Sequence, residues 1–264
     1  MKRLNAITDP KGFGTSIQAG PHDVDSWVFV AYDQLNLSLI ETIEQAIGTV
    51  GLVFIESAFK GRSRPYHKQK LALLLSNQRH FALEAQEAGY AVDYLVTQGT
   101  YAEALTVLAN EVGPIHCVEF AEYSTRIELQ PLIESAALVV HPHNGWLTPR
   151  SWFTETVGTA PPFRMDRFYR RVRKETGWLM VDAQPVGDKY SFDEENRKPW
   201  RGEPAAPAPP MFTVDDIDVG VKKLVENVYS DHPGSIDFTQ IPTSIADIEA
   251  SIEFARSCLV HFGT

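Results

Sequence analysis

Cysteine is scarce in this chain, and its scarcity excludes several kinds of site. The 264 residues include two cysteines, Cys117 and Cys258, and no C-x-x-C pair. A zinc site or a dithiol redox motif needs more cysteines, or closer ones, than these. We therefore expect both to be small buried side chains. The lack of a disulfide pattern favours a cytoplasmic protein.

Long apolar runs and glycine-rich phosphate loops are absent as well. No run of 18 apolar residues occurs, so no membrane span is predicted. Residues 1–26 contain no apolar stretch of the secretory kind and are predicted to form a flexible extension. No G-x-G-x-x-G or Walker A sequence follows the first predicted strand, which argues against an NAD-type dehydrogenase. A G-x-S-x-G elbow and a Ser-His-Asp order are also lacking.

The formal net charge of −10 argues against nucleic-acid binding by the surface as a whole. One local exception is the basic run 164–174, in which six of eleven residues are arginine or lysine. This run predicts a weak DNA contact through Arg167, Arg170, Arg171 and Lys174. The alternative is pairing within the chain, for example with the acidic residues at 193–195.

Five short apolar runs alternate with helical patterns between residues 27 and 145. Strands are predicted at 27–32, 51–56, 91–96, 115–120 and 137–141. Helices are predicted at 37–47, 67–88, 101–111 and 127–135, and a polar basic loop at 57–66. The alternation predicts an α/β fold, with an open five-stranded parallel sheet of Rossmann-like or flavodoxin-like type and helices on both faces.

The alternation ends after residue 145. Residues 146–212 are predicted to hold one helix, which starts at residue 165 with Asp166 as its cap and Gly177 as its stop, and then a proline-rich linker. Residues 213–264 are predicted to form a segment with two helices, at 214–228 and 245–262.

Residues at or just after the carboxyl ends of the predicted strands are the candidate ligand contacts, because open α/β sheets bind ligands there. They are Asp33, Gln34, Leu35, Glu56, Ser57, Lys60, His67 and Lys70. Each has a structural alternative: a turn and helix cap for Asp33-Gln34, a solvated strand end for Glu56, and a solvated helix start for His67 and Lys70. His141 and His143 have no partner carboxylate or cysteine at metal-ligand spacing, and His80 and His116 are expected to be packing residues, so no metal site is predicted.

The run FYRRVRKETGWLM at 168–180 and the run PVGDKYSFDEENR at 185–197 resemble the signature of the deoxyribodipyrimidine photolyase-related proteins, the iron–sulfur branch of the cryptochrome/photolyase superfamily. Upstream, DQL at 33–35, Glu56, HKQK at 67–70, QRHF at 78–81 and GYAVDY at 89–94 also match. Asp188 departs from this pattern, since the family usually has a second glycine there. Lys60 also departs, since relatives have an acidic residue near the chromophore.

The resemblance implies an N-terminal domain that binds an antenna chromophore, 6,7-dimethyl-8-ribityllumazine. It implies that a following helical domain holds FAD and an iron–sulfur cluster and repairs (6-4) lesions in DNA as a carbon–carbon lyase. In relatives the flavin pocket and the four cluster cysteines lie beyond the point at which this sequence ends. We therefore expect residues 213–264 to be the start of the flavin domain, and a homo-oligomer or a partner chain to supply the missing half.

The resulting expectation is a chromophore-binding module without repair activity of its own. One alternative is an α/β enzyme that acts on a small phosphorylated substrate through Glu56, His67 and Lys70. Another is a DNA-binding module that uses the basic run 164–174.

Overall fold

The computed structural model describes residues 13, 24–192, 199, 201–203 and 205–262. The chain divides into two compact units, one formed by Met1–His143 with Pro207–Thr264 and the other by Asn144–Ala206. Within the described residues, no helix combines the length and the apolar character needed to cross a bilayer.

The first unit is built on five parallel strands, as the alternation predicts. They are β1 (Ser26–Phe29), β2 (Val50–Ser57), β3 (Ala91–Thr97), β4 (Ile115–Val118) and β5 (Leu138–His141). The strand order is β3-β2-β1-β4-β5 and all four pairings are parallel. This is the Rossmann order rather than the flavodoxin order, with the switch in direction between β1 and β4.

Helices cover both faces of the sheet because successive residues of a strand point to opposite sides. The helices that lie between and beside these strands in the sequence are α1 (Leu37–Ile47), α2 (Ala58–Arg62), α3 (Lys68–Glu87), α4 (Tyr101–Val112) and α5 (Tyr123–Glu134). On one face α1 and α3 pack against Val28, Leu52 and Phe54. On the other face α4 and α5 pack against Phe29 and Val53.

Residues after the proline-rich linker return to the same unit. Two helices follow there, α8 (Asp216–Val228) and α9 (Ile245–Phe262), separated by a short 3-10 turn at Phe238–Gln240. α8 packs on α3: Val221, Val225 and Tyr229 join Leu71 and Ala72 in a third apolar cluster. The assignment of residues 213–264 to the beginning of a flavin domain stays a prediction.

The second unit contains α6 (Arg150–Val157), α7 (Met165–Thr176) and a small antiparallel hairpin of β6 (Met180–Val181) and β7 (Gln184–Pro185). Gly177 ends α7 in the left-handed conformation, as predicted. The prediction that Asp166 caps α7 is wrong, because Arg164 occupies the N-cap position without a side-chain cap. Asp166 lies in the first turn, where its charge complements the helix dipole.

Three other local predictions also need correction. The segment predicted as a basic loop contains α2, because Ser57 accepts a hydrogen bond from the Lys60 backbone N–H and so caps a short helix. The helix predicted at 127–135 begins four residues earlier, at Tyr123, and includes Pro131. The first strand ends at Phe29 rather than at residue 32, so that Tyr32, Asp33 and Gln34 lie in a loop.

Candidate functional site

A cavity of about 300 Å³ opens at the carboxyl ends of β1 and β2 in the first unit. Its walls come from the strand ends, from the loop before α5, from α2 and α3, and from the residue that follows α8. The lining residues are Tyr32, Ile55, Glu56, Ser57, Lys60, Gly61, Tyr66, Lys70, Leu71, Leu74, Leu75, Gln78, Tyr101, Glu122 and Tyr229. The position beside the switch between β1 and β4 is where open α/β sheets bind ligands.

One wall of the cavity contains a buried ion pair. The Arg79 guanidinium donates from Nε to Glu56 Oε1 over 2.6 Å and from Nη2 to Oε2 over 3.0 Å. The Tyr94 hydroxyl also donates to Oε1. Burial alone would lower the pKa of Arg79, but the hydrogen bond and charge of Glu56 raise it, so the guanidinium stays charged. The pair carries no net charge at the cavity wall.

A second ion pair lies nearer to solvent. Lys60 Nζ contacts Glu122 Oε2 at 2.6 Å and also donates to the hydroxyls of Ser124 and Thr125. Burial opposes ionisation of Glu122, but the hydrogen bonds from Lys60, Ser124 and Thr125 outweigh it and lower the pKa to about 2. The charge of Lys60 is therefore matched by a carboxylate from the loop after β4.

Four tyrosines contribute much of the remaining wall. Tyr32 donates its hydroxyl to Glu122 over 3.0 Å, and the pKa values of Tyr32 and Tyr101 are raised, first by burial. Tyr66 lies under Lys70, whose Nζ is 4.8 Å from the ring centroid. Tyr229 follows α8 and packs against Gly61, where an added Cβ would overlap its hydroxyl. The cavity therefore needs the segment after the proline-rich linker as well as the sheet.

The structure brings four of the eight predicted ligand residues to this cavity: Glu56, Ser57, Lys60 and Lys70. The other four lie elsewhere. Gln34 donates from Nε2 to the backbone oxygens of Val118 and Glu119, and Leu35 packs beside the core. Asp33 is exposed next to Gln34. His67 caps α3 by accepting a hydrogen bond from the Gln69 N–H.

Comparison with known proteins places the chain in a family. The model of the deoxyribodipyrimidine photo-lyase-related proteins matches residues 28–240. The chain belongs to this family. It is also 28% identical over 250 residues to a (6-4) photolyase of Agrobacterium fabrum, across 89% of this chain and 48% of that protein. The chain thus spans about half the length of this relative.

Eleven of the fifteen lining residues of this photolyase-related chain were not predicted as ligand contacts, and Gln78, Glu122 and Tyr229 are among them. Gln78 stands next to Arg79 within the family's QRHF run, which was the available signal. Glu122 is 62 positions from Lys60 in sequence, and Tyr229 is separated from the sheet by the linker. Glu122 follows the fourth predicted strand, but no local pattern pairs it with Lys60, and none connects Tyr229 to the strand ends.

In the second unit, the signature helix uses part of its charge internally. Arg171 donates to Glu155, to the backbone oxygen of Trp152 and to the Thr156 hydroxyl. Arg167, Arg170 and Lys174 are exposed, and the Arg170 guanidinium lies over the Tyr190 ring at 5.0 Å. The acidic residues at 193–195, predicted as alternative partners, lie outside the described residues. DNA contact by the four basic residues stays a prediction.

Within the described part of the chain, one group of side chains is close enough to hold a metal ion: His80, Asp215 and Asp218, whose ligand atoms lie within 4.8 Å of one another. These atoms already have partners. His80 contacts the Ser76 backbone oxygen and Asp215, and Asp218 accepts from the Ser76 hydroxyl. Asp215 and Asp218 form a capping box at the start of α8. The cluster fixes α8 on α3.

Proposed function

We propose that the first unit binds an aromatic antenna chromophore, with 6,7-dimethyl-8-ribityllumazine as the first candidate. The observation that carries the proposal is the tyrosine-lined cavity of about 300 Å³ at the strand ends of a photolyase-related chain. Pockets for small molecules begin at about this size and combine apolar walls with a few polar groups. The proposed role is light absorption: the bound ring system would take up the photon and pass the excitation on.

The walls suit an uncharged ring better than a charged one. Ile55, Leu71, Leu74 and Leu75 provide apolar surface. The charged side chains in the wall are largely compensated, Glu56 by Arg79 and Lys60 by Glu122. A neutral heterocycle gains contact area here without displacing an ion pair. Lys70, at the exposed end of the cavity, would lie beside the polar substituent of such a ring.

The tyrosines would act as hydrogen-bonding walls. Tyr32 and Tyr101 are protonated at neutral pH, as tyrosines ordinarily are, and burial raises their pKa values further. A protonated phenol can both donate and accept a hydrogen bond. Lys60 and Glu122 hold Tyr32 in place through the Glu122 carboxylate. Tyr229 closes one side and so couples the cavity to the docking of α8 on α3.

FAD, an iron–sulfur cluster and DNA repair are proposed only as properties of the family, and we assign none of them to residues of this chain. A cluster of the four-cysteine type needs more thiolates than the two that this chain contains. Cys117 is buried in the sheet and Cys258 lies on α9, so the residues present do not fit such a cluster and we derive no step through it. We propose that this chain acts as a ligand-binding module.

A partner for the module is proposed on α9. Ile245, Ile248, Ile252 and Leu259 are exposed on this helix at spacings of three, four and seven residues, which places them on one stripe. Such a stripe suits a helical neighbour, either a second copy or a partner chain.

A binding titration tests the ligand proposal. The purified chain is mixed with 6,7-dimethyl-8-ribityllumazine, and fluorescence anisotropy and the visible absorption spectrum are followed. We expect saturable binding of one molecule per chain. A Leu74→Trp substitution, which fills the cavity, should weaken binding by at least about tenfold.

Leu147→Trp is the matched control, because Leu147 is 58% exposed and lies in the second unit. This variant should bind as tightly as the unaltered chain. Failure of the unaltered chain to bind lumazine would contradict the proposal, as would equal weakening by both tryptophan substitutions.

A further inference from the structure

A histidine outside the cavity wall contacts two of the tyrosines that form it. His232 is 7% exposed and lies in the turn that follows α8. Its Nδ1 donates to the backbone oxygen of Tyr66 over 2.9 Å, since a carbonyl oxygen can only accept. Its ring packs edge-on against Tyr229, with the two ring centroids 5.2 Å apart. Tyr66 and Tyr229 line the cavity, so one side chain joins wall residues from both sides of the proline-rich linker.

The turn after α8 also meets the segment around Tyr66 at neighbouring points. The Lys68 backbone N–H donates to the backbone oxygen of Pro233 over 2.8 Å. A Cβ added to Gly234 would overlap the ring of His67, so the two segments approach each other closely there. Of these contacts, the bond from the histidine is the one that reaches the backbone of Tyr66 itself.

Tyr66 depends on such support because of its place in the chain. It lies between α2 and α3, outside any helix or strand, so no regular backbone ladder fixes it. When a wall residue moves away, a smaller fraction of the molecules is competent to bind, and the apparent affinity falls by that fraction. The bond to the Tyr66 oxygen therefore bears on ligand affinity as well as on stability.

We infer that His232 is a positioning residue of the chromophore site. By holding Tyr66 beside Tyr229, it keeps the cavity in the form that binds the ring, without touching the ligand. This inference rests on the proposed function and adds a residue to the same site.

Two substitutions separate the donor from the ring. His232→Phe keeps an aromatic ring beside Tyr229 but has no donor for the Tyr66 oxygen, whereas His232→Asn loses the ring and keeps a side-chain N–H. Each variant is titrated with 6,7-dimethyl-8-ribityllumazine and followed by fluorescence anisotropy. We expect His232→Phe to weaken binding by about tenfold, the effect of one lost hydrogen bond to a buried group. His232→Asn should bind within about threefold of the unaltered chain.

Ile236→Val is the control for a loss of stability alone. Ile236 belongs to the apolar cluster that contains Tyr229 but does not line the cavity. The substitution should lower the urea midpoint of the ligand-free chain and leave the affinity unchanged. A merely structural role for His232 predicts instead that affinity follows the urea midpoint in all three variants.

Hydrogen exchange on the unaltered chain gives a second measurement that needs no substitution. Saturating lumazine should slow exchange of the Lys68 amide proton, because the ligand stabilises the arrangement in which this proton is bonded to Pro233. The Gly158 amide, which donates to Thr154 in the second unit, is the control and should exchange at the same rate with and without ligand.

The outcomes separate the two proposals. If the unaltered chain binds lumazine and His232→Phe binds it equally tightly, the positioning inference is overturned while the proposed function stands. The same holds if His232→Asn binds no better than His232→Phe, or if affinity follows the urea midpoint in every variant. Should His232→Phe fail to fold, unchanged exchange at Lys68 in the complex would overturn the inference. If the unaltered chain binds no lumazine, both proposals are overturned.

Discussion

Two arginines, one in each unit, are equally hidden from solvent but are held in different ways. Arg79 and Arg173 are each 4% exposed. Arg79 forms two charged hydrogen bonds with Glu56 in the first unit. Arg173 donates to the backbone oxygens of Trp178 and Leu179 in the second unit, and its guanidinium lies 5.6 and 5.2 Å from the ring centroids of Tyr169 and Tyr190. Within the described residues, no carboxylate pairs with Arg173.

The difference shows two ways of compensating a buried charge. At Arg79 a countercharge compensates it, so the Glu56–Arg79 pair is neutral and can form the wall of a cavity for a neutral ligand. At Arg173, the partners among the described residues are carbonyl dipoles and aromatic faces, and the guanidinium connects α7 to the hairpin that follows. The first arrangement depends on charge balance. The second depends on the planar, forked shape of the guanidinium.

The largest expected effect comes from breaking the charge balance. Arg79→Met leaves the Glu56 carboxylate buried without its partner, and loss of one member of a buried pair costs about 3–5 kcal/mol of unfolding free energy. Chemical denaturation monitored by far-UV circular dichroism measures this loss. The double variant Glu56→Gln with Arg79→Met should recover part of it, because no net charge is then buried. Equal stabilities of the single and double variants would contradict the charge-balance account.

Arg173→Lys tests the other half of the comparison. Lysine keeps the positive charge but cannot reproduce the fork, so hydrogen bonds to backbone oxygens are lost. The free energy needed to open the hairpin should therefore fall by about 1–3 kcal/mol. The amide protons of Met180 and Val186, which close the hairpin region through bonds to Gly177 and Leu179, report on this opening by hydrogen exchange.

Arg167→Lys is the matched control, since Arg167 is an exposed arginine on the same helix. We expect no change in exchange for this variant. Unchanged protection at Met180 and Val186 in Arg173→Lys would show that charge, rather than shape, is what the second unit requires of Arg173.

The sequence predicts the sheet well because hydrophobic periodicity and secondary-structure propensity depend on residues that are close together in the sequence. The run at 51–56 is a buried strand because successive residues such as Leu52 and Val53 face helices on opposite sides. The helix predicted at 37–47 has the same bounds in the structure, with Asn36 as its cap. Errors occur at ends, as at α5, where the signal that starts the helix is weak and Glu122 provides no side-chain cap.

The site is predicted only in part because its contacts are not local. Glu56 and Ser57 could be named from the end of a strand, since strand ends meet at one edge of the sheet. The partner of Lys60 could not, because Glu122 reaches it from a loop on the other side of β1. Tyr229 could not either, because its position depends on the docking of α8 on α3. His67 was predicted as a ligand contact from its type and position, but its ring nitrogen caps α3.

The smallest expected effect concerns the Lys60–Glu122 pair, which extends the comparison to a charge balance close to solvent. The pKa of Glu122 is lowered from 4.5 to about 2 in the folded chain. A carboxyl group with a lowered folded-state pKa contributes stability that is fully present above pH 4.5 and is lost as the pH falls through about 2. Glu122→Gln should therefore be less stable than the unaltered chain by up to about 1 kcal/mol at pH 6. Urea unfolding at pH 6, 4 and 3 should show this difference shrinking as the pH falls. A difference that stays constant over this range would mean that Glu122 contributes through its shape and hydrogen bonds rather than through its charge. The Lys60–Glu122 pair would then resemble the site of Arg173 more than that of Arg79.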